Sequence, residues 1–132
     1  MITGNLQRRW SAQEPAVYDK ETRLVCMDIK SESRPDDQGQ EVPGYSYFEV
    51  EIDRQIDYGH IKSQLIEAGF AQKDEFGMLM NSVDGILTAI SQSSSWAKFK
   101  ENLDTEDIQK FSEFCQYRAM CAEAAKEVMR HY

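Results

Sequence analysis

The stretch Tyr45-Ser46-Tyr47-Phe48-Glu49-Val50-Glu51-Ile52-Asp53 and the stretch from Tyr58 through Ile61 and Leu65 to Phe70 lie next to each other in the chain. Between them the hydrophobic period changes from two to about 3.6. In the first, Phe48, Val50 and Ile52 fall on one face, and Tyr45, Tyr47, Glu49, Glu51 and Asp53 on the other, the pattern of a half-buried strand. In the second, Tyr58, Ile61, Leu65 and Ala68 gather on one side of a helix, with Gly69 and Phe70 read as a terminating glycine and its hydrophobic clamp. Strands therefore precede this junction and helices follow it, which predicts an α+β fold.

Upstream, Val25, Met27 and Ile29 alternate with polar neighbours in a second strand over 23–30, and a short extended piece precedes it at Ala16 to Tyr18. An antiparallel meander of two or three strands over 16–53 is the economical arrangement. Ser31 to Gly44 holds Pro35, Asp36, Asp37, Gly39, Pro43 and Gly44, which makes it a long polar loop. Residues 1–14 read as a flexible arm, ordered only if something covers Trp10.

Downstream, over 57–131, the clearest amphipathic signal is Phe76, Leu79, Met80, Val83, Ile86, Leu87 and Ile90, all within one arc of about 120°, with Asp74 as the expected N-cap. Trp96 to Leu103 has the length of one or two turns capped by Ser95. Asp104 and Asp107 resemble a capping box for a last helix reaching His131. That helix carries two apolar seams: Ile108, Phe111, Cys115, Ala122 and Met129 on one, Phe114, Tyr117, Cys121, Ala124 and Val128 on the other. Either it is the central helix, packed between the sheet and the other helices, or its second seam is a subunit or partner interface. The candidate interface residues are Phe114, Tyr117, Arg118, Cys121 and Val128, with Trp96, Phe99, Tyr132 and, on the strand face, Tyr47. Arg118 lies mid-arc, where its stem can pack while its guanidinium reaches an acid of the same chain or of a partner.

The 132 residues suit one domain. Their 23 acidic against 15 basic side chains give a net charge of −8 and argue against a nucleic-acid partner. No apolar run is long enough for a bilayer span and no secretory leader is visible, so a cytoplasmic protein without membrane contact is expected. Cys26, Cys115 and Cys121 lack CxxC spacing and read as small reduced core residues. His60 and His131 have no second ligand sharing a face, so neither metal nor cofactor is expected. Glu49, Glu51 and Asp53 could in principle form an acid/base pair, but acids alternating along a strand are more simply a solvated face, offset by Lys30 or Arg54. Asp36-Asp37-Gln38-Gly39 lacks the full spacing of a calcium loop and reads as a turn. A non-enzymatic protein is the consequence.

Val50-Glu51-Ile52-Asp53-Arg54, Tyr58-Gly59-His60-Ile61, Leu65-Ile66, and the C-terminal passage from Phe114 to Lys126 together resemble small uncharacterised proteins of phage and prophage structural modules in Bacteroidales-type bacteria. The resemblance covers roughly the last 85 residues, with Tyr117 standing where those proteins carry Trp. It implies a hairpin followed by helices and a virion or tail-assembly role, virion-associated in location, carried out through a protein partner or homo-oligomer. The alternative is an acidic inhibitory module, of anti-defence or immunity type, that blocks a basic partner.

Overall fold

The computed structural model of the protein describes residues 1–102 and 105–131, and the side chains of all of these except Trp96, Lys100, Asn102 and Thr105. Its elements run β1 (Arg9–Ser11), β2 (Tyr18–Asp19), β3 (Leu24–Ser31), β4 (Arg34–Pro35), β5 (Glu41–Val42), β6 (Tyr45–Glu51), α1 (Tyr58–Gly69), α2 (Gln72–Gln92), α3 (Trp96–Asn102) and α4 (Thr105–Arg130). The α+β expectation holds. Strands β3 and β6 form the centre of an antiparallel sheet of order β1-β6-β3-β2, and β4 and β5 make a separate two-stranded ribbon.

Strands β2, β3 and β6 make the three-stranded meander expected from sequence, and the sheet is wider by β1, which lies in the expected arm and is too short to show a period of its own. In the β3–β6 ladder Val25 faces Val50 and Met27 faces Phe48, so the alternation of both strands delivers one apolar face. Val25, Met27, Phe48, Val50 and Ile52 join Ile61, Leu65, Ile66 and Phe70 of α1 and its exit, and Phe114, Tyr117, Cys121, Ala124, Ala125 and Val128 of α4, in one core. Helix α4 packs against α1, α2 and β3. It is thus the central helix, and its second seam is consumed by the chain's own core.

The first residues are pinned along the domain. Ile2 and Leu6 pack on the core, and the Asn5 amide donates to the Gly69 carbonyl over 2.8 Å. Gly4 adopts φ 57°, in the left-handed region that glycine tolerates, and a Cβ there would run into the Gly69 carbonyl. The condition set by Trp10 is also met: its indole N–H donates to the Glu32 carbonyl at 2.6 Å, and its ring lies where a Cβ on Gly44 would collide with it.

Several local expectations change. Gly69 is the last residue of α1 rather than a left-handed cap, and Phe70 leaves the helix in extended conformation. What glycine provides there is space: a Cβ would meet the Tyr117 hydroxyl oxygen at 2.5 Å. Asp57 caps α1 by accepting from the His60 amide at 3.1 Å. Helix α2 starts after Ala71 without a side-chain cap, and Asp74 sits in its first turn, where a carboxylate favours the positive end of the helix dipole. Ser95 does cap α3, accepting from the Lys98 amide at 3.2 Å. The expected capping residue Asp104 lies outside the described residues.

Candidate interaction surface

Helix α2 is where packing departs from periodicity. The periodicity of its large apolar stripe predicts an inward face, yet Phe76, Leu79, Met80, Val83, Ile86, Leu87 and Ile90 are all exposed, from 36 % at Ile86 to 64 % at Phe76. The residues α2 buries are small ones, Ser82 and Ala89, and Met78 packs against the edge of the core. At about 100° per residue, Met78, Ser82 and Ala89 form a face roughly 120° round the helix from the stripe. Short side chains let α2 approach its neighbours α3 and α4 closely. The seven large side chains of the stripe are turned to solvent.

Beside the stripe, α2 and α4 leave a groove of about 270 Å³ lined by Glu75, Phe76 and Leu79 on one side and Phe111, Phe114 and Arg118 on the other. Arg118 is exposed at its rim, and among the described residues it forms no salt bridge. The internal ion pair expected for it is therefore absent from the described structure. An exposed guanidinium next to apolar side chains and Glu75 is suited to contacts at an interface rim.

The other candidate interface residues are placed differently. Phe114, Tyr117, Cys121 and Val128 are buried in the core, and Tyr47, opposite Arg9 in the β1–β6 pair, is buried too. Phe114 reaches only the floor of the α2–α4 groove, and the other four are covered by the chain's own core and sheet. Their burial has a cause in packing: Phe70 stacks edge-on against both Phe114 and Tyr117, with ring centroids 5.0 and 5.2 Å apart, and the Tyr117 hydroxyl donates to the Leu65 carbonyl at 2.7 Å. The Trp96 side chain and Tyr132 lie outside the described residues, and Phe99 is half-buried. The first seam of α4 is the less covered one, with Met129 and Cys115 exposed. Cys115 is thus not a core residue, unlike Cys26 and Cys121.

The groups that could carry chemistry are dispersed and paired. Glu49 meets Arg9 at 3.1 Å and Glu51 meets Arg23 at 3.6 Å, while Asp53 lies beyond the strand and contacts His60 Nε2 at 2.6 Å. The offsetting cations are therefore Arg9 and Arg23, supplied by a strand and a turn that sequence pattern does not align with β6. Burial, with Glu49 adding to it, pushes the Cys26 thiol up to about 11. Burial likewise pushes the Cys121 thiol up to about 12, so neither offers a thiolate nucleophile near neutral pH. Asp36 accepts from the Gln38 and Gln40 amides at 2.8 and 2.9 Å, which is a turn linking β4 to β5. Among the described residues no cluster of three or more His, Cys, Asp or Glu side chains could hold a metal ion, and no helix is long and apolar enough to cross a membrane.

The hydrogen bond from His60, helped by one from the Gln55 amide, lowers the Asp53 carboxyl below its ordinary 3.8. Such a group contributes stability above its unfolded-state value, and that contribution is lost as pH falls through the depressed folded-state value. Replacing His60 with Ala should bring the Asp53 titration, followed by carboxyl-carbon NMR, back up toward 3.8. An unmoved titration would show that the pair does not persist in solution.

Comparison of the chain with protein-family models, curated proteins and solved structures finds no match.

Proposed function

We propose that the protein is a non-enzymatic assembly component that works through protein–protein contacts made by the exposed face of α2, with Arg118 at its edge. The observation that carries this reading is the apolar stripe itself, seven large side chains turned to solvent on one helix while the same helix buries Ser82 and Ala89. Seven such residues, each about half exposed and roughly 200 Å² in full, present on the order of 700 Å², more than the largest apolar patch of a typical monomer. A role in phage or prophage assembly, as the sequence resemblance implies, is consistent with a small domain whose main unexplained feature is an adhesive surface.

A photo-crosslinking residue at Leu87 should capture a protein in the native host, whereas the same group at the exposed Lys126 of α4 should not. Equal yields at the two positions, or none at Leu87, would remove the reading. The alternative of an acidic inhibitor predicts another signature, since binding of a basic partner by a chain of net charge −8 weakens steeply as salt rises. Association through the α2 stripe is apolar and does not.

A further inference from the structure

We infer that the occupant of the α2 face is a second copy of this chain, packed antiparallel across a two-fold axis at Val83. This rests on the reading of the stripe as an interaction surface and names what covers it. The spacing of the stripe is a palindrome: Phe76, Leu79, Met80, Val83, Ile86, Leu87 and Ile90 map onto themselves when the helix is reversed about Val83. In such a pair Phe76 lies opposite Ile90 of the second copy, Leu79 opposite Leu87, Met80 opposite Ile86, and Val83 opposite its own equivalent. A two-fold contact uses the same patch on both subunits, so self-complementarity is the property it requires.

Charge points the same way. From Phe76 to Ala97 the only charged residue is Asp84, and the reversal sets it opposite Ser82, Glu75 opposite Ser91 and Lys73 opposite Ser93. No like charges are brought together, and no opposite charge is demanded of the partner. The area is also commensurate. On the order of 700 Å² of stripe is close to the roughly 800 Å² that each partner contributes to a stable interface.

Sedimentation equilibrium should find wild-type protein dimeric at micromolar concentration and Leu87→Glu monomeric, with the variant keeping the wild-type helical circular dichroism. Raising salt should strengthen the wild-type dimer, because it screens repulsion between two copies of net charge −8. Direction is read by cysteine pairing in a Cys115→Ser background: a mixture of Phe76→Cys and Ile90→Cys proteins should oxidise to the mixed disulfide in preference to either homodisulfide. A wild-type monomer at every concentration, a Leu87→Glu dimer, or preferential homodisulfides would each overturn the proposal. If the wild type is monomeric while a crosslinker at Leu87 still captures a different host protein, the interaction surface stands and the second copy fails. If neither occurs, both readings fall.

Discussion

Replacing Gly69 with Ala should cost about 3 kcal/mol of folding stability, although Ala is the better helix former and the position is helical. The added Cβ would meet the Tyr117 hydroxyl oxygen at 2.5 Å, the ring carbon bearing it at 2.7 Å and the Thr3 carbonyl at 3.0 Å. None of these can yield freely. Tyr117 is fully buried, wedged against Phe70, and held by its hydrogen bond to the Leu65 carbonyl. Its burial also raises the phenol pKa well above the ordinary value, so the hydroxyl remains a donor throughout the accessible pH range. Tyr117→Phe should cost only about 1 kcal/mol, for the lost hydrogen bond. Because the nearest clash is with the oxygen that this substitution removes, while the ring carbon and the Thr3 carbonyl remain, the double variant should lose about 1 kcal/mol less than the sum of the single ones. Urea unfolding of the four proteins measures the cycle, and strict additivity would mean that α1 and α4 separate rather than compress.

The same contact shows why some of this architecture is legible in sequence and some is not. Alternation in β3 and β6 and helical periodicity in α1 and α4 are local, and they place Val25, Phe48, Val50, Leu65 and Phe114 in the core without knowledge of their neighbours. Gly69 reads as a helix terminator because that is the commonest local use of glycine; its actual use depends on a residue from another helix, Tyr117. Strand β1 is three residues long and gains its identity only by pairing Arg9 with Tyr47. On α2 the pattern reveals sidedness but not what covers the side. The stripe from Phe76 to Ile90 looks like a core face in sequence, and only the burial of Ser82 and Ala89 shows that the chain uses the adjacent small face instead. Likewise the two seams of α4 are both visible, and it takes the packing of α1 and β3 to decide that the seam of Phe114, Tyr117, Cys121 and Val128 is internal. Of the interface candidates among the described residues, Arg118 is the one the fold leaves exposed beside the stripe.

Arg8→Ala should be the second strongly destabilising surface-proximal change, at about 3 kcal/mol, or about 10 °C in Tm for a domain of this size. The reason lies in the irregularity of β3, whose register with β6 shifts between Met27 and Lys30, with Asp28 at φ 52°, a conformation that costs a non-glycine residue about 1 kcal/mol or more. Arg8 holds this bulge from several sides. It donates to the Asp28 carbonyl and to the buried Ser46 hydroxyl, each at 3.0 Å, pairs with the Asp28 carboxylate, and lies 4.4 Å over the Phe48 ring. Alanine would remove all four contacts and leave both the buried hydroxyl and the strained carbonyl without this donor. Lys should restore only part of the loss, since one ammonium cannot span a carbonyl, a hydroxyl and a carboxylate as a planar guanidinium does. Asp28→Gly should cost less than Arg8→Ala, because glycine relieves the left-handed backbone while Arg8 keeps the carbonyl and the hydroxyl. Thermal unfolding of the three variants ranks them, and an Arg8→Ala protein as stable as the wild type would show that the bulge is held by the β3–β6 ladder alone.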